Sequence, residues 1–118
     1  MILGWEGDDT VVSEIECFLR DVRRAIDDGN KMILCSRTKF IKTLSQLCIT
    51  IIDVWDDIYN LSTADHWKKK KDDNPGYPGD VWITKKILHG ACIYIKLKIK
   101  SDPKGQLLVM SYHIDETW

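Results

Sequence analysis

Residues 91–114 read ACIYIKLKIKSDPKGQLLVMSYHI. In the first half, Ile93, Ile95, Leu97 and Ile99 alternate with Tyr94, Lys96, Lys98 and Lys100. A period of two sends alternate side chains to opposite faces of a strand, so the pattern predicts one dry face and one wet, basic face. Pro103 and Gly105 within DPKG suit a tight reversal, which predicts a hairpin into a second strand, QLLVMSYHI. Immediately upstream, DVWITKKIL (80–88) ends at His89-Gly90, a second turn signal. Three antiparallel strands are therefore expected in the C-terminal half.

The N-terminal half changes period. In SEIECFLRDVRRAI, Ile15, Phe18, Leu19, Val22 and Ile26 recur every three or four residues, predicting an amphipathic helix with Ser13 and Glu16 as a capping box and Gly29 as its stop. KMILC reads as a short strand, and Phe40, Ile41, Leu44, Leu47 and Cys48 mark one face of a second helix opened by Ser36. Ile51, Val54, Trp55, Ile58 and Leu61 predict a third, from about residue 51, with Thr50 as its cap. LSTADHWKKKKDD (61–73) comes next, with Ser62 or Thr63 capping a short turn and the lysines in a solvated loop. DDNPGYPGD, with two prolines and two glycines, is a loop as well. Helices first and a meander last make an α+β fold, with the helices packed on the apolar face of a C-terminal antiparallel sheet.

The chain has 118 residues, enough for one domain. No run approaches the roughly 18 apolar residues of a membrane span, and the first ten residues lack the basic and apolar regions of a secretion signal. A soluble protein of the cytoplasm, making no membrane contact, is expected. The four cysteines form no CxxC pair and the three histidines no HxH or HxxxH spacing, so reduced, buried thiols and no metal site are expected. The net charge of −1 conceals an asymmetry: residues 1–65 carry 7 basic and 12 acidic side chains, residues 66–113 carry 10 and 4. The basic half suits a polyanion or an acidic partner.

On the basic strand face, Tyr94 lies among lysines, where a phenol can stack on a base or move a proton. His113 ends the last strand, and by strict alternation it shares a face with Ser111 and Val109. An imidazole there suits proton transfer near neutral pH. Trp67, beside the lysine run, is a candidate stacking platform. The bland readings are a solvated loop for Lys68–Lys71, an ordinary outer sheet face for Lys96, Lys98 and Lys100, and solvent contact for His113.

Four motifs in order, LSTADHWK, DVW, IYIKLKI and LLVMSYHI, preceded by a helix–strand–helix pattern, resemble the MqsR family of type II toxins, which have the RelE/YoeB-like fold. The resemblance runs from about Phe18 to His113. It implies an endoribonuclease, an mRNA interferase that cleaves single-stranded mRNA without metal or other cofactor and is silenced by a cognate antitoxin protein. By position it makes Lys68 and Tyr94 active-site residues and puts His113 where the family has a basic residue. The chemistry of metal-free RNA cleavage, taken by itself, makes Tyr94 and His113 the catalytic proton carriers and Lys68 and Lys96 the phosphate ligands, with Lys98, Lys69 and Trp67 as further RNA contacts. Gly79 stands where the best-known member has a glutamine, and no arginine occurs after Arg37. Those departures leave as alternative a catalytically degenerate module that binds RNA or a protein partner.

Overall fold

The lysine run is a strand. The computed structural model describes residues 4–72, 79–101 and 103–116, with side chains from residue 12 and except that of Asp72. Its elements are α1 (Gly4–Asp27), β1 (Lys31–Ile33), α2 (Arg37–Leu47), α3 (Ile51–Tyr59), β2 (Trp67–Asp72), β3 (Gly79–Leu88), β4 (Ala91–Ile99) and β5 (Leu107–Ile114). They build one five-stranded sheet in the order β1-β5-β4-β3-β2, with β1 parallel to β5 and the other pairs antiparallel. The fold class is α+β as expected, but the sheet is mixed and has five strands. The expected DDNPGYPGD loop falls largely on 73–78, outside the described residues.

Two helix boundaries show what local sequence does and does not determine. α1 begins upstream of Ser13, which lies inside the helix rather than capping it; no proline intervenes between residues 4 and 13 to stop the helix from extending. Its end is where glycine places it. Gly29 adopts φ +72°, and the Asn30 N–H donates to Ala25 O at 2.8 Å, closing a Schellman motif. α3 starts at its expected cap: the Thr50 N–H donates to the Asp53 carboxylate at 2.8 Å.

All three helices cover one sheet face. Ile15, Phe18, Leu19 and Val22 of α1, Phe40 of α2, and Val54 and Ile58 of α3 form one buried cluster with Trp82, Ile93, Ile95, Leu97, Leu107, Val109 and Tyr112 of the sheet. Each such side chain stabilises the fold by roughly 1.5–3 kcal/mol against the cost of ordering the chain. Arg23 ties α1 to the end of α3 by donating from Nε to Tyr59 O at 3.0 Å and from Nη2 to Leu61 O at 2.6 Å. These carbonyls would otherwise be left without a helical partner.

The β4–β5 ladder contains an irregularity that decides which face His113 occupies. Lys96 pairs with Ser111 while Leu97 pairs with Val109, so Met110 is an extra residue, a bulge in β5. Strict alternation would put Val109, Ser111 and His113 on one face. Instead the bulge lets Leu107, Val109, Tyr112 and Ile114 all meet the helices, while Ser111 and His113 turn to the opposite, open face.

Gly79 is demanded by this architecture. It opens β3 at φ +135°, and a Cβ there would lie 2.7 Å from Ile99 O of the neighbouring strand. A side chain at this position would press on that carbonyl, so the backbone as it stands calls for glycine.

Candidate active site on the open sheet face

Strand register assembles two adjacent rows on the open face. Lys68, Ile83, Lys96 and Ser111 stand side by side across β2, β3, β4 and β5, and Lys85, Tyr94 and His113 form the next row. Residues from four strands thus meet over a few strand spacings of about 4.8 Å. His66, just before β2, extends the second row beside Lys85.

Tyr94 and His113 are direct ladder partners, and their rings stack at 5.3 Å between centroids and 20° between planes. Both are half-buried, so each is held by the sheet yet open to a ligand. His113 Nδ1 lies 3.1 Å from Ile114 O. A carbonyl only accepts, so this bond places the proton of the neutral imidazole on Nδ1 and leaves the lone pair on Nε2. The pair therefore offers a proton acceptor at the histidine beside a phenol donor.

The lysines divide sharply by partner. Among the described residues, Lys68 and Lys96 make no ion pair. Lys69, expected among the RNA contacts, points to the helix face. Its Nζ meets Glu14 of α1 at 2.8 Å and Asp80 at 3.3 Å, and it lies 5.6 Å from the Trp82 ring centroid. The hydrogen bonds it donates to Glu14 and then to Asp80 hold its ammonium above the usual lysine range. Lys85 bonds Asp115 at 2.6 Å, which raises its pKa in the same way. Lys86 bonds Asp65 at 3.3 Å.

Two further expectations are corrected by packing. Lys98 belongs by register to the open face but is fully buried, so it presents no surface cation to a strand of RNA. Trp67 also turns inward: its ring packs edge-on against Phe18 at 6.1 Å and Trp82 at 6.4 Å, and Nε1 donates to Ser62 O at 2.8 Å. That indole is an anchor for β2 and not an exposed platform. Alternation explains the outcome, because once β2 is a strand, Trp67 and Lys69 share one face and Lys68 and Lys70 the other.

A second polar constellation lies on the helix side. Asp57 of α3 accepts from the Tyr112 hydroxyl at 2.6 Å, and the same carboxylate oxygen lies 2.7 Å from His89 Nε2. Burial, reinforced by the carboxylate, pushes the Tyr112 phenol well above its ordinary range. His89, at φ +53°, and Gly90 form the β3–β4 turn, so this network fastens the turn to the helical layer. No local pattern links residues 57, 89 and 112, so their meeting is invisible to sequence reading.

All four cysteines are free, Cys92 buried and Cys35 half-buried, whereas Cys17 and Cys48 are exposed and correct the expectation of four buried thiols. No cluster of three or more potential metal ligands occurs among the described residues. Among the described residues no helix is long and apolar enough to cross a membrane. A cleft of about 670 Å³ between α1 and the Ser62-Thr63 turn includes none of the residues of the two rows. Comparison with protein-family models, curated proteins and solved structures returns no match for this chain.

Proposed function

We propose that the open sheet face binds single-stranded RNA and cleaves it, making this chain an mRNA interferase of the RelE-like, MqsR type. The observation that carries the reading is the Tyr94–His113 stack beside two lysines without ion-pair partners among the described residues, Lys68 and Lys96. The motif order that resembles the toxin family supports it independently.

The chemistry needs three functions. A base takes the proton of a ribose 2′-hydroxyl, the oxygen attacks the adjacent phosphorus, and the P–O5′ bond breaks as an acid protonates the leaving oxygen. His113 Nε2 is the base and the Tyr94 hydroxyl the acid, while Lys68 and Lys96 neutralise the charge that grows on the phosphate. The products are a 2′,3′-cyclic phosphate and a 5′-hydroxyl. Protein groups suffice for every step, so no cofactor is invoked. DNA is not cut, because it lacks the nucleophile.

In this reading the protein works in the cytoplasm, where its mRNA substrate is, and a cognate antitoxin protein holds it inactive. Incubating purified protein with single-stranded RNA tests the activity: wild type cuts, and Lys68→Ala and Tyr94→Phe cut far more slowly. Equal cutting by all three removes the residue assignment. Tight binding of RNA that none of them cuts leaves the non-catalytic binding module as the function.

A further inference from the structure

We infer that the open face also carries a nucleobase pocket, a cleft of about 390 Å³ lined by His66, Lys68, Ile83 and Lys85 of that face, with the inward-turned pair Trp67 and Thr84 between them, which takes one unpaired base beside the scissile phosphate. This rests on the reading of the face as an RNA site and deepens it, since it fixes the substrate as a strand unpaired at the cut.

Register points to the pocket first. Ile83 stands between Lys68 and Lys96 in one row, an apolar side chain flanked by two cations. In the next row Lys85 follows it along β3 and Tyr94 is its diagonal neighbour on β4. A phosphate held between Lys96 and the Tyr94–His113 pair thus has an apolar surface one strand spacing away, about 4.8 Å. In a single nucleotide an anionic group and a flat apolar one are joined at that kind of separation.

The chemistry of the walls agrees. They are mostly carbon, and of the two lysines that line the cleft, Lys85 is already held by Asp115 at 2.6 Å, which leaves Lys68 as its cation. Size is compatible with a small ligand, at the low end of the ~300–1,000 Å³ typical of such pockets. His66 is exposed at the outer wall and offers a ring against which a base can stack. An acidic peptide would satisfy the lysines but has no use for the apolar floor. A duplex would keep its bases inside the stack and away from Ile83. The charge pattern and the floor together fit a single-stranded nucleic acid.

The test uses full-length protein and a short single-stranded oligonucleotide with 2′-deoxy sugars, which cannot be cut, carrying 2-aminopurine at one position at a time. At one position the fluorescence should fall on binding. Replacing that nucleotide by an abasic one should weaken binding by wild-type protein about tenfold, the scale of one stacked base. Ile83→Ala and His66→Ala should reduce both signals while binding measured by anisotropy persists through the lysines. Because the abasic comparison uses unaltered protein, a folding defect in Ile83→Ala cannot mimic it. Unchanged fluorescence at every position, an abasic ligand bound as well as the parent, or no binding at all would each overturn the pocket. Cleavage is not read here: a protein that takes up the base without cutting RNA upholds the pocket, and an active nuclease indifferent to the abasic nucleotide overturns it.

Discussion

Tyr94 and His113 face each other across the β4–β5 ladder with their rings 5.3 Å apart and nearly parallel. Each single change, Tyr94→Phe or His113→Gln, should lower the cleavage rate by about 10²–10⁴-fold, the range for loss of a general acid or base. The double variant should fall well short of the product of the two losses, because the groups act as a unit. Far-ultraviolet circular dichroism should be unchanged, since both side chains lie on the open face. Multiplying effects would mean that the two rings serve separate steps.

Lys68 and Lys96 should be separable from Lys69 by salt. Single-strand binding loses a slope of about 0.7 in log K against log salt for each phosphate contact removed. Lys68→Ala and Lys96→Ala should each show that reduction, whereas Lys69→Ala, whose ammonium is held by Glu14 and Asp80, should keep the wild-type slope. A titration series from low to moderate salt reads all three.

Gly79 should tolerate substitution less well than Gly29. Both have positive φ, but an added Cβ at Gly29 meets nothing within 4 Å, whereas at Gly79 it meets Ile99 O at 2.7 Å. Gly29→Ala is expected to cost about 1 kcal/mol, and Gly79→Ala more, about 2–3 kcal/mol. Urea midpoints give the comparison, and equal costs would show that the β3–β4 backbone relaxes around the added methyl group.

Stability should decline on the alkaline side. Burial pushes the Cys35 thiol from 9.0 to about 11, and burial with the Asp57 carboxylate raises the Tyr112 phenol. A raised pKa means that the folded state holds the proton more tightly, so this stabilisation is complete below the unfolded values and disappears as pH climbs through the folded ones. Urea midpoints should stay level to about pH 9 and fall towards pH 11. Cys35→Ala with Tyr112→Phe should flatten that fall. A midpoint that does not move between pH 8 and 11 would contradict the assignment.

Periodicity makes the helices and the last three strands legible, because each apolar stripe meets one buried surface. It fails at β2. Four lysines carry no apolar alternation, and what makes them a strand is pairing with β3 together with the inward anchor of Trp67. Edge strands accept lysine readily, since the outer side needs no partner and the long stems cover apolar surface. The same pairing decides which lysines face the solvent, so Lys69 and Trp67 depart from expectation along with the strand. The bulge at Met110 is equally invisible. It adds one residue to the alternation of β5, which a single strand's sequence cannot reveal, and it is what turns His113 towards Tyr94. Tyr94, Lys96 and Lys68 can be picked out from sequence as chemically apt. Their meeting in adjacent rows, and the burial of Lys98 beside them, depend on register and on long-range packing.

In the proposed function a 2′-hydroxyl of RNA attacks its own phosphate on this face. The most direct measurement is to map the wild-type cut in a single-stranded RNA, replace only the ribose on the 5′ side of that cut by 2′-deoxyribose, and analyse the ends of the products. Loss of cutting at that bond alone is expected, with 2′,3′-cyclic phosphate and 5′-hydroxyl ends in the unmodified RNA. Cutting that persists at the deoxy position, or fragments bearing 5′-phosphates, would contradict the account.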